Sequence, residues 1–233
     1  MASMQEVSQE QALDLKKIAY FVPDVPPLLP RDMDRFWEIW NTHKKPLTKA
    51  KNDSIEGSTI NDNRFLRENP AFDGMIVWYK SDGYLKNSTW DQNVVLEPSL
   101  WDQYVADLEE RLPWYEVDAV VLWAAIRPVL YHIDPSPIFP GPVAVRSLIY
   151  DDNPSPTFKM KNMRTREERY VPYSMERNLF AFNNAGYLHG ADYHPSHYKI
   201  LMRSFGKIKS TDILEKQIRE TIDRGFPVWD TSK

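Results

Sequence analysis

The chain has 233 residues, 42% of them apolar and 27% charged, with a formal net charge of −4 at pH 7 and no cysteine. A chain of this length and balance buries a core without covalent staples. The missing cysteine excludes a disulfide framework, thiolate zinc sites and cysteine nucleophiles, and the acidic balance excludes a global basic footprint for nucleic acid.

No linker divides the sequence, so one domain is expected: a polar tail over 1–20, a mainly helical and loop support region over 21–113, a strand-built core over 114–210, and a helix with a short tail over 211–233. The first seventeen residues lack the apolar run of a secretory signal. A cytoplasmic location is the default that follows. The helix expected over Asp32–Trp40 has Phe36, Trp37, Ile39 and Trp40 on its apolar side. Lys44 to Phe65 is polar and reads as loop. Gly74 to Tyr79 reads as a buried strand between Asp-Gly turns. Pro98-Ser99 opens a second helix, whose Leu100, Trp101, Tyr104, Val105, Leu108 and Leu112 recur at one, three and four.

After Pro113 the texture changes. Val117 to Tyr131, Val143 to Tyr150, Thr157 to Lys161, Arg169 to Tyr173, Leu179 to Asn183 and Tyr198 to Lys207 all read as strands, being β-branched, aromatic and separated by turn residues. Even the longest apolar run, Val117 to Tyr131, is interrupted by Asp118, Arg127 and Pro128 and falls short of the ~18 residues of a membrane span. Thr211 to Arg224 reads as a closing helix with Ile213, Leu214, Ile218 and Ile222 on one side, ended by Gly225 and Pro227. Helices followed by serial strands indicate an α+β protein whose strand half forms a barrel or a double sheet. The basic stretch Lys159 to Arg177 also holds three acids and reads as a solvated face.

One constellation carries chemistry. Of the five histidines, only His132 has an acid two residues on, Asp134. On this composition such a spacing arises by chance roughly half the time, so position has to support it. Both residues end the longest apolar run, and alternation puts residues two apart on one face of a strand. An imidazole and a carboxylate there can share a metal. His189 follows 57 residues later in F-N-N-A-G-Y-L-H-G, before Gly190, and reads as a turn histidine able to supply a third ligand. Two His and one carboxylate leave coordination positions open, as in non-haem Fe(II) oxygenases. His194 and His197 form a rival pair three apart, with Pro195 between them. Arg203 lies 14 residues beyond His189, and Lys199, Leu201 and Arg203 share a strand face. A buried guanidinium suits a carboxylate. Asn183-Asn184 reads as a turn-capping pair.

H-x-D, then three or four strands, then His, then a basic residue resembles the Fe(II)/2-oxoglutarate-dependent oxygenases. P-V-A-V-R-S-L-I-Y and N-L-F-A-F-N-N-A-G-Y-L-H-G are loosely similar to the aspartyl/asparaginyl β-hydroxylase branch. The resemblance covers about Val117 to Lys207. It implies a double-stranded β-helix, or jelly roll, with helices packed outside. It also implies His132, Asp134 and His189 as iron ligands, and Arg203 as the anchor of the distal carboxylate of 2-oxoglutarate, with Lys199 as rival. Arg146 would answer to a further arginine that faces the site in that branch. With a carboxylate at Asp134, the resemblance implies hydroxylation with O2 as oxidant and not halogenation. Small-molecule and peptide substrates both remain open, as does oligomeric state. The alternatives are a non-catalytic jelly-roll binding or viral structural module, and a cupin-type metalloenzyme that does not use 2-oxoglutarate.

Overall fold

The computed structural model describes residues 13–46, 72–80, 93–133, 143–152, 155–184 and 186–232. They form twelve strands and three α-helices. The strands are β1 (Ile18–Phe21), β2 (Lys45–Pro46), β3 (Phe72–Tyr79), β4 (Tyr115–Ala125), β5 (Val129–His132) and β6 (Val143–Asp151), then β7 (Phe158–Lys161), β8 (Glu168–Tyr170), β9 (Leu179–Asn183), β10 (Leu188–Ala191), β11 (Lys199–Ile208) and β12 (Val228–Asp230). The helices are α1 (Met33–His43), α2 (Pro98–Arg111) and α3 (Thr211–Asp223). An eight-stranded sheet runs β12-β1-β9-β6-β11-β4-β3-β2 and a four-stranded sheet runs β5-β10-β7-β8. Every pairing within the two sheets is antiparallel. Of the two arrangements expected, these residues adopt the double sheet.

Alternation sorts the large sheet's side chains. Its outer face carries Val120, Leu122, Val145, Ile149, Leu179, Ile200 and Met202, buried with Phe36 and Trp40 of α1, Trp101 and Leu108 of α2, and Leu214 and Ile218 of α3. The inner face carries Tyr20, Ala144, Leu148, Phe180, Phe182 and Trp229, buried against Phe158 and Met160 of the small sheet. The helices start where their caps dictate. Asp32 accepts from the Arg35 amide at 2.9 Å, Ser210 accepts from the Ile213 amide, and Pro98 occupies the first turn of α2, where no donor is needed. Gly225, at φ 73°, follows α3, in the left-handed conformation that glycine adopts without a Cβ penalty.

Five expectations need correction. The run Val117 to Tyr131 is two strands in different sheets: Pro128 has no N–H to give to the ladder, so the pairing is interrupted there, and β4 joins the large sheet and β5 the small one. The segment taken as a polar tail ends in β1, because Ile18–Phe21 is wholly apolar and pairs with both β9 and β12. Strand β12 lies beyond α3 in what was read as a tail, and Trp229 buries its ring there. Leu188–Ala191 is strand β10 and not a turn. Nor is the region before residue 113 confined to helix and loop, since β1 and β3 are strands of the large sheet.

Gly206 allows β11 and β4 to pair closely at a register shift. A Cβ there would stand 2.0 Å from the Glu116 carbonyl oxygen, so the strands must part to admit it. Gly206→Ala is expected to lower unfolding free energy by about 1–3 kcal/mol, read as a shift of the urea midpoint at unchanged slope; an unshifted midpoint would refute the close approach.

Candidate metal and anion site

His189 of β10 and His132 of β5 occupy directly opposite register positions. Their ring centres are 4.3 Å apart with planes inclined at 53°. His189 is buried and His132 half-buried. His132 Nδ1 lies 2.8 Å from the Leu130 carbonyl oxygen. A carbonyl only accepts, so Nδ1 carries the proton and Nε2 is the lone-pair nitrogen of the ring. This is the arrangement by which second-shell bonds set a ligating imidazole's tautomer.

The histidines are held from both sides. Outside the small sheet, the Lys159 and Lys161 ammoniums of β7 lie 5.1 and 5.4 Å from the centre of the Tyr131 ring on β5, gripping the edge strand across β10. Lys159 also pairs with Asp192 at 2.6 Å. Gly190 lets β5 approach, since a Cβ there would meet the Val129 carbonyl oxygen at 2.7 Å. On the inside, His189 rests against Phe158 at 5.8 Å and Phe182 at 5.2 Å between ring centres.

The same two phenylalanines carry a cation. The Arg146 guanidinium carbon lies 4.3 Å from the Phe158 ring centre and 5.0 Å from that of Phe182. Arg146 on β6 is directly opposite Arg203 on β11. Trp123 of β4 lies beside both, 5.6 Å from Arg146 and 5.4 Å from Arg203, and Phe205 is 4.4 Å from Arg203. Both arginines are buried. One continuous series thus runs from His132 and His189 through two rings to Arg146 and on to Arg203.

Lys199 is placed differently. It shares the inner side of β11, but its ammonium bonds Asp151 at 2.8 Å and the Ser155 carbonyl. Both partners of the ion pair are nearly inaccessible. Asp134 lies outside the described residues. Among the described residues no cluster of three His, Asp or Glu side chains is poised to hold a metal.

The donor set fits a divalent transition ion. Two imidazoles at about 2.1 Å from one metal and at roughly right angles place their ring centres about 4.5 Å apart, close to the spacing found. His194 and His197 are stacked at 26°, so their in-plane lone pairs do not converge on a common point, and His194 Nδ1 is bonded to the Ser196 hydroxyl at 2.7 Å. Asn183 caps a turn as expected, its side-chain oxygen accepting from the Gly186 amide at 2.8 Å. Phe158, Phe182 and Trp123 were not singled out from the sequence; they stand on β7, β9 and β4, apart from the strands of Arg146 and Arg203, so no local spacing links them to those residues.

No family model matches the chain, and no curated protein matches its sequence. Solved structures align with it at low identity. A Pseudomonas putida prolyl-4-hydroxylase is 12% identical with a TM-score of 0.42, the alignment covering 82% of this chain and 92% of that one. A prolyl hydroxylase from Trichoplax adhaerens is 12% identical with a TM-score of 0.44, covering 82% and 84%. A viral collagen prolyl hydroxylase from Paramecium bursaria Chlorella virus-1 is 8% identical with a TM-score of 0.34, covering 60% and 81%.

The burial of Lys199 and Asp151 gives a direct test of the lysine's task. Asp151→Ala leaves a buried ammonium without its carboxylate and should cost about 3–5 kcal/mol, whereas replacing both residues by apolar side chains recovers most of that. Thermal and urea unfolding of the single and double variants check this; a single variant as stable as wild type removes the ion pair from the structural role.

Proposed function

We propose that the protein is an Fe(II)- and 2-oxoglutarate-dependent dioxygenase of the jelly-roll class that hydroxylates its substrate. The observation that carries this reading is the apposition of His132 and His189 across β5 and β10, with the His132 proton held by Leu130. Asp134, two residues beyond His132, supplies the third ligand in this reading. Bound Fe(II), with 2-oxoglutarate and O2, supplies the oxidising power to place oxygen in a C–H bond.

The chain's own residues bind, orient and exclude water. His132 and His189 present ring nitrogens from opposed strands, so their geometry is set by sheet register and not by a loop. Phe158, Phe182 and Trp123 wall the space between the sheets with apolar surface, which strengthens every charge interaction inside. Arg203, on the long central strand and flanked by Trp123 and Phe205, anchors the far carboxylate of 2-oxoglutarate through two parallel N–H bonds. Lys199 is supported as a structural residue by its ion pair with Asp151, which favours Arg203 over the rival anchor.

Titration calorimetry under anaerobic conditions tests the assignment. Wild type should take up one Fe(II) or Mn(II) per chain; His132→Ala and His189→Ala should each lose stoichiometric uptake with the circular dichroism spectrum unchanged. Arg203→Ala should retain the metal and weaken 2-oxoglutarate binding by about tenfold or more, the loss of a charge-assisted pair. Full metal uptake by His189→Ala would end the reading. Metal uptake without iron-dependent succinate from 2-oxoglutarate, under any metabolite mixture, would transfer it to a metalloenzyme that does not use 2-oxoglutarate.

A further inference from the structure

The hairpin that joins β7 to β8 holds an arginine in a conformation that disfavours it. Among the described residues, Arg166, at φ 65°, is the non-glycine residue with positive φ. A Cβ is strained there, whereas glycine takes the position freely. Hairpin turns that end in a left-handed residue normally place glycine at it. The turn is otherwise well satisfied. The Asn162 amide donates to the Glu167 carbonyl oxygen and the Arg166 amide to the Asn162 carbonyl oxygen, both at 2.9 Å. The buried Asn162 side-chain oxygen accepts from the Arg164 amide at 2.9 Å and from the Thr165 amide at 3.2 Å. The Glu167 amide donates to the Thr165 hydroxyl at 3.3 Å. Strain kept in a turn so fully bonded points to a use for the side chain.

Charge around the hairpin is unevenly matched. Lys159 pairs with Asp192, Lys161 with Glu168 and Arg169 with Glu167. Arg164 and Arg166 are exposed and have no carboxylate partner among the described residues. Met163, beside them, is 45% exposed. The bonded turn thus presents two guanidiniums and one apolar side chain together. It stands at the histidine end of the small sheet: Met160 is opposite His189, and Met163 follows within at most about 11 Å of chain. We propose that this tip, Met163 to Arg166, is a docking element for an extended peptide segment that carries carboxylates beside an apolar residue. A guanidinium takes a carboxylate through two parallel N–H bonds, and the unbranched Met163 side chain adapts to an apolar neighbour. A phosphate polymer fits less well. Its continuous charge would also run over Glu167 and Glu168, the chain is acidic overall, and the turn itself has no ring on which a base could stack. The inference goes beyond the proposed function and does not depend on it.

The full-length protein, without added metal or 2-oxoglutarate, is titrated into fluorescein-labelled probes at about 0.1 M salt, with anisotropy as the readout. The probes are a peptide of repeated Gly-Glu-Leu-Glu units, its Gly-Gln-Leu-Gln counterpart and an oligothymidylate. The acidic peptide should bind about tenfold more tightly than the neutral one. Arg164→Gln and Arg166→Gly should each reduce that ratio to below about threefold. Met163→Gln should weaken the acidic peptide while leaving the ratio in place. Arg166→Gly carries a second readout that a structural role would move the other way: glycine relieves the strain, so the urea midpoint should stay level or rise. The inference is overturned if acidic and neutral peptides bind alike, if the acidic peptide fails to bind at millimolar concentration, or if both arginine variants keep the wild-type preference. Tighter binding of the oligothymidylate than of the acidic peptide would overturn it in favour of a nucleic-acid contact. A lowered urea midpoint in Arg166→Gly would overturn the role given to that arginine. Because the titration contains neither iron nor cosubstrate, its failure and that of the proposed function are read separately.

Discussion

The two-sided pairing of β11 is the constraint on which the rest of the molecule depends. Lys199–Ile208 is hydrogen-bonded along β4 on one side and β6 on the other, so its side chains have no freedom to change faces. A slip of one residue would turn Ile200 and Met202 into the space between the sheets and Arg203 into the helix-covered core. The outer set buries apolar surface with α1, α2 and α3, and each such side chain is worth about 1.5–3 kcal/mol. That burial holds the basic residues on the inner face. Pairing also fixes where they stand along it: Arg203 meets Arg146, and Leu201 meets Trp123.

The site depends equally on a break. Had the run from Val117 continued through Tyr131 as one strand, His132 would have stayed with the large sheet. Pro128 ends β4 and lets the chain cross to the small sheet, where β5 pairs with β10. There Gly190 admits the close approach of the two backbones, and His132 comes opposite His189. The histidines and the arginines therefore face each other from different sheets, with Phe158 of one sheet and Phe182 of the other filling the distance between. A ligand that reached both would span the gap from the small sheet to the large.

Much of this was legible from residue patterns. Periodicity located α1, α2 and α3 within a few residues, and alternation put Lys199, Leu201 and Arg203 on one face, as found. Short strands at the margins were not legible. Leu188–Ala191 holds Gly190, whose usual meaning is a turn, and only its contact with Val129 shows that it serves strand packing. Ile18–Phe21 and Val228–Asp230 are too short for periodicity to separate from a tail, and pair with each other across the whole length of the chain. The His132–Asp134 spacing pointed to a metal, but a cross-strand contact between His132 and His189 is a property of register, which no local pattern encodes. Nor could spacing distinguish Lys199 from Arg203. Asp151, 48 residues earlier, is the residue that the register sets directly opposite Lys199.

The division of labour among the three inner cations follows from their chemistry. Lysine presents a compact charge that a single carboxylate and one carbonyl can neutralise, and Lys199 has both in Asp151 and Ser155. Arginine spreads its charge over a plane that lies against aromatic rings while its edge still donates in a fork. Arg146 and Arg203 have those rings in Phe158, Phe182, Trp123 and Phe205. A lysine at either position would gain less from the rings and would aim a point charge in no fixed direction. Where the chain needs a pin it uses lysine with a dedicated acid; the two arginines stand instead on an aromatic wall. The aromatic content of the inner strands is thus part of the electrostatics of the site as well as of its packing.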